Sequence, residues 1–80
     1  MPVVLQLYGH SYCHLCEEMQ KALIPWREQY GFEVHVIDIT EDVLLEHQFG
    51  EKVPVLVHDG VEICHYFLDE SALKRRLIAT

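Results

Sequence analysis

Apolar positions along this chain follow two different periods. Val3, Val4, Leu5 and Leu7 form an apolar, β-branched run that predicts a buried strand from Val3 to Tyr8, broken by Gly9-His10-Ser11. The period then changes. Cys16, Met19, Leu23, Trp26 and Tyr30 recur at spacings of three and four, so a helix beginning near Cys13 turns one stripe toward a core. Pro25 lies inside that stripe, where it kinks the helix or starts a new turn, and Gly31 supplies the C-terminal cap.

From Phe32 to Ile39 the β-branched content predicts a second strand, with Phe32, Val34, Val36 and Asp38 alternating with Glu33, His35, Ile37 and Ile39. Thr40 is the expected cap of a short helix reaching about Phe49, with Glu41 and Asp42 in its first turn and Gly50 at its end. Val53-Pro54-Val55-Leu56-Val57-His58 predicts a third strand, and Asp59-Gly60 is a hairpin turn into a fourth from Val61 to Tyr66. Asp69 is the expected N-cap of a last helix, with Leu68, Ala72, Leu73, Leu77 and Ile78 facing inward. The order is β-α-β-α-β-β-α. A right-handed crossover makes the first two strands parallel, and the hairpin adds antiparallel strands, giving an α/β fold with a four-stranded mixed sheet flanked by helices. Residues 1–80 hold room for one domain.

A formal net charge of -7 sets aside nonspecific nucleic-acid binding and attachment to anionic membranes, both of which need clustered cations. Lys74-Arg75-Arg76 is the one such cluster, and its place near a helix end suits a partner for the helix dipole. No apolar stretch approaches the roughly 20 residues of a membrane span. The start Met1-Pro2-Val3-Val4 lacks the pattern of a signal peptide, so the cytoplasm is the expected location. Three cysteines are an odd number, which favours a reactive or ligating role over a disulfide framework.

Cys13-His14-Leu15-Cys16 carries the most chemistry. Two thiols on a first helical turn close into a disulfide with little backbone movement, and a helix N-terminus favours the thiolate of the leading one. Cys13 is therefore the expected attacking thiol and Cys16, one turn further toward the core, the resolving one. A protonated His14 turned toward the sulfur would favour the thiolate further; a solvent-facing His14 is the alternative. Cys64, with His65 and Tyr66, is expected at the same end of the sheet, either as a small buried residue or as a second resolving thiol able to bridge Cys13 or Cys16. His35, His47 and His58 are expected at the surface. His10, His14 and His65 form, with Cys13 and Cys16, the alternative of a zinc or copper(I) module. Haem attachment is excluded because Glu17 follows Cys16. Tyr8 packs in the core or, with Tyr12, flanks the loop as a flat contact surface, while Trp26, Tyr30 and Phe32 suit the core.

The strand Val3 to Tyr8, the Cys13-His14-Leu15-Cys16 motif, the Val53-Pro54 pair and the element order resemble the thioredoxin superfamily, in particular the uncharacterised bacterial branch of glutaredoxin-like proteins. The resemblance implies a thiol-disulfide oxidoreductase acting on a protein or small-molecule disulfide, as a monomer and without a cofactor. It also implies a cis Val53-Pro54 bond beside the cysteines, with Tyr12, His14, Val53 and Pro54 on the substrate side. Glutaredoxins typically carry Pro-Tyr between the cysteines, a lysine before the motif and a Gly-Gly-x-Asp segment after the hairpin. Here these are His14-Leu15, His10 and approximately Cys64-His65-Tyr66-Phe67, which argues against their glutathione clamp; Lys52 is the remaining cation placed to meet a carboxylate. A thioredoxin-fold interaction domain with an idle cysteine pair is the other alternative.

Overall fold

A computed structural model describes residues 3–79. They form β1 (Val4–Gly9), α1 (His14–Tyr30), β2 (Glu33–Asp38), α2 (Val43–Phe49), β3 (Val55–His58), β4 (Val61–His65) and α3 (Glu70–Ala79). The sheet order is β2-β1-β3-β4. β1 and β2 are parallel, while β3 is antiparallel to both β1 and β4, as the crossover and hairpin rules require. No described helix is long and apolar enough to cross a membrane.

The sheet is buried through two clusters. Leu5, Leu7, Met19, Leu23, Phe32, Leu56, Cys64 and Leu73 form the larger one, which α1 and α3 cover. Ile39, Phe49, Val55 and Val57 form the other, where Tyr8 stacks on Phe49 with ring centroids 4.5 Å apart. All four residues of β3 are buried, as befits an inner strand covered on both faces.

Local chemistry sets the element ends. Gly31 takes φ 71°, the left-handed conformation that glycine adopts without steric cost, and its N–H donates to the Arg27 carbonyl. Asp59 and Gly60 both have positive φ (49° and 76°), the requirement of a tight hairpin whose twist matches the strands. Asp69 caps α3 through a 3.0 Å bond from the Ala72 N–H. α1 continues through Pro25.

Several expectations are corrected. Gly9 does not break β1: it is the last strand residue, paired with Asp38. Thr40 does not cap α2. Asp42 does, accepting the Leu45 N–H at 3.0 Å, and Thr40 instead bonds back to Asp38. Tyr30 is exposed and stacks on Trp26, and Ile78 is 67% exposed rather than turned inward. His58 is not a surface histidine. It is buried, with its Nδ1 accepting from Arg76 Nε at 2.8 Å and its carbonyl from the same guanidinium at 3.2 Å. Arg76 therefore ties α3 to the end of β3 besides standing in the last helical turn.

Candidate active site

Cys13 is itself the N-cap of α1. Its backbone is extended (φ -100°, ψ 109°), and its Sγ accepts the backbone N–H of Cys16 at 3.1 Å. A helix N-terminus has amide donors without intrahelical partners, and here a sulfur takes the place of the usual capping oxygen. The same donors and the dipole favour negative charge on that sulfur. The Cys13 and Cys16 sulfurs are joined as a disulfide, with Cα atoms 5.1 Å apart, an ordinary separation for such a pair. The two are unequal in access, since Cys13 is half-buried and Cys16 only 6% exposed.

Gly9 explains how Cys16 fits. A Cβ at position 9 would lie 2.6 Å from Cys16 Sγ and 3.3 Å from Cys16 Cβ, so the end of β1 must be glycine for the helix to seat its second sulfur there. Val55 pairs with Tyr8, and this register carries Pro54, one residue earlier, level with Gly9. The Val53-Pro54 peptide bond is cis. Pro54 is buried, and its carbonyl accepts the Tyr66 N–H at 2.9 Å, which brings the exit of β4 to this end of the sheet.

The loop from β1 to Cys13 is anchored by side chains for which the sequence pattern predicts other roles or none. Ser11 Oγ donates to Asp38 Oδ2, and the Thr40 hydroxyl and N–H donate to Asp38 Oδ1 at 2.6 and 2.9 Å. Hydrogen bonds from Ser11 and then Thr40 hold the Asp38 carboxyl down at about 2. The Ser11 N–H also meets Thr40 Oγ1, and His10 Nε2 lies 2.8 Å from Glu46 Oε2 on α2. Beside this loop a cavity of about 270 Å³ is lined by Gly9, Ser11, Cys13, Cys16, Val36 and Asp38, among others. Asp38-x-Thr40, a side chain bonding the backbone two residues on, is a readable turn signature.

Other candidates are placed as follows. Tyr12 is fully exposed on the loop, and Tyr8 belongs to the core. His14 is 81% exposed at its side chain and faces Glu18 at 3.6 Å, away from the role of a sulfur partner. His65 Nδ1 lies 2.8 Å from Glu62 Oε2, and Lys52 also donates to Glu62, which lowers the Glu62 carboxyl chiefly through the lysine bond. Lys52 thus already has its carboxylate. His10 lines the cavity beside Cys13 and Cys16 but pairs with Glu46, while His14 pairs with Glu18 and His65 with Glu62, and no three His, Cys, Asp or Glu side chains among the described residues are grouped to hold a metal. Cys64 is a free, buried thiol in the larger cluster, and burial pushes its pKa up. Tyr66 takes φ 64° at the exit of β4, where the resemblance has glycine, and its hydroxyl bonds the Glu51 carbonyl at 2.6 Å.

A parallel strand pair, a hairpin completing a mixed sheet and a Cys-x-x-Cys at the head of the first helix define a thioredoxin-fold protein. Residues 4–78 match the model of the glutaredoxin-like domain (DUF836), and the chain belongs to that family. It is similar to protein Ne2328 of Nitrosomonas europaea, 37% identical, with a TM-score of 0.88 over 95% of this chain and 92% of that one. Protein XcR50 of X. campestris is 32% identical, with a TM-score of 0.74 over 95% and 97% of the two chains. The uncharacterized protein Rv0508 of Mycobacterium tuberculosis is 27% identical over 75 residues, 88% of this chain and 77% of its own length. Thioredoxin 1 of Thermosipho africanus shares the fold at 16% identity, with a TM-score of 0.61 over 95% and 96% of the chains.

Proposed function

We propose that the protein is a thiol-disulfide oxidoreductase in which Cys13 attacks and Cys16 resolves. One observation carries this reading: the half-buried Cys13 sulfur caps α1 and accepts a backbone N–H, while its partner is buried behind it. In the reduced protein, the Cys13 thiolate attacks one sulfur of a substrate disulfide. A Cys13–substrate bond forms and the other substrate sulfur leaves as a thiolate, which takes a proton from solvent. Cys16, having given up its proton, then attacks Cys13 Sγ. The Cys13–Cys16 bond forms, the second substrate thiol departs, and two electrons have passed from protein to substrate.

The reaction uses no cofactor. Pro54 and Val53 support the substrate side at the level of Gly9, with Tyr12 and His14 as exposed contacts. We place the protein in the cytoplasm as a monomer, regenerated by a thiol reductant. The test is turnover of a small neutral disulfide coupled to such a reductant. Cys13→Ser should abolish turnover, and Cys16→Ser, challenged with the disulfide before any reductant is added, should stall as a mixed disulfide visible by mass. Unchanged turnover in Cys13→Ser would end this reading.

A further inference from the structure

A groove of about 520 Å³ starts at Leu15, inside the cysteine motif, and runs between α1 and the segment that leaves β4. Its apolar lining includes Leu15, Met19, Tyr66 and Phe67, the last two exposed. Three carboxylates also line it, Glu18, Asp69 and Glu70, and among the described residues no lysine or arginine does. Lys52, the cation placed nearest in sequence to Pro54, is held by Glu62. One Asp69 oxygen caps α3, and Glu18 has His14 at 3.6 Å as its basic neighbour.

We propose that this groove docks a cysteine-bearing polypeptide whose neighbouring residues are apolar and basic, and that glutathione is a poor occupant; this rests on the redox reading above. Exposed aromatic and aliphatic side chains beside carboxylates match an apolar residue flanked by cations. Glutathione is a net anion, with two carboxylates against one ammonium, and it meets a groove whose three carboxylates have no lysine or arginine beside them among the described residues, on a chain of net charge -7. Tyr66 sharpens the contrast, because its positive φ keeps a turn that suits glycine while an aromatic ring stands at the groove.

The test uses the fully reduced protein and three mixed disulfides with 2-thiopyridine: the peptides Arg-Leu-Cys-Phe-Arg and Glu-Leu-Cys-Phe-Glu, and glutathione. Cys13 attacks the peptide or glutathione sulfur, the S–S bond to thiopyridine breaks, and thiopyridone release is timed. Each rate is divided by that of the same compound with dithiothreitol, which removes intrinsic reactivity. The basic peptide is expected to react about tenfold faster than either anionic compound at low salt, with the advantage shrinking in molar salt. Glu18→Lys with Glu70→Lys should bring the basic-to-acidic ratio to about one or below, and Glu18→Gln with Glu70→Gln should move it part of the way. A ratio near one in the native protein, a ratio these variants leave unchanged, or a faster glutathione compound would overturn the proposal. Failure of Cys13 to react even with neutral dithiodipyridine would instead overturn the redox reading beneath it.

Discussion

Replacing Gly9 by alanine tests how the sheet positions the cysteine pair. The new Cβ would stand 2.6 Å from Cys16 Sγ, roughly 1 Å inside the 3.5–4.0 Å of ordinary nonbonded contact. In the oxidised protein that sulfur is tied to Cys13 and cannot rotate away, so β1 and α1 must part. Such overpacking costs about 1–3 kcal/mol, against about 0.4–1 kcal/mol gained because alanine restricts the unfolded chain more than glycine. The net loss for the oxidised form lies between about 0 and 2.6 kcal/mol, with a midpoint of about 1.3 kcal/mol. Reduction frees the Cys16 side chain to turn, which relieves most of the clash. The unfolded-chain gain is common to both redox forms and cancels, so the overpacking of about 1–3 kcal/mol raises the oxidised form alone, makes reduction easier and moves the potential to less negative values, by up to about 20–60 mV for a two-electron couple. Urea unfolding of both redox forms, with equilibration in thiol/disulfide buffers, reads the two effects together. A reduced form destabilised as much as the oxidised one, or an unchanged potential, would refute the reasoning.

Three further outcomes are expected. Asp38 has its carboxyl lowered from 3.8 to about 2 by Ser11 and Thr40, so its contribution is complete above about pH 4 and is lost as pH falls through about 2. The stability difference between native protein and Asp38→Asn, followed by acid titration of urea midpoints, should shrink over that window. A difference that grows toward low pH would contradict the assignment. Arg76→Ala leaves the buried His58 Nδ1 without its donor and should cost about 1–3 kcal/mol in urea unfolding. A loss below about 0.5 kcal/mol, the size of an ordinary surface change, would show that the contact is incidental. Cys64, buried and with its thiol pKa raised, should resist alkylation at neutral pH until the chain unfolds. Peptide mapping of the oxidised protein should accordingly find Cys13–Cys16 and no bridge to Cys64.

The element order and the sheet were legible because each rests on local chemistry. Asp59-Gly60 declares a turn through its positive φ angles, Gly31 declares a helix end, and apolar spacing separates strand from helix. The cysteine pair was legible for the same reason, since motif and helix start coincide. What stayed hidden depends on contacts between distant segments. Gly9 reads as a strand breaker until Cys16 is seen to occupy the space of its missing side chain. His58 and Arg76, 18 residues apart, carry no joint signal. Thr40 and Asp42 are both good caps two positions apart, and the choice was made by Asp38, which takes the Thr40 hydroxyl and N–H for itself. Asp38 in turn looked like one more position in a strand pattern, although its spacing from Thr40 was the signal to follow.

The most direct measurement is the redox equilibrium of the pair itself. The purified, metal-free protein is equilibrated across a series of thiol/disulfide buffers, free thiols are trapped by alkylation, and Cys13 and Cys16 are read by mass. The account predicts one reversible two-electron transition in which both cysteines change together while Cys64 stays reduced. Absence of any transition within the accessible range, or independent oxidation of Cys13 and Cys16, would contradict it.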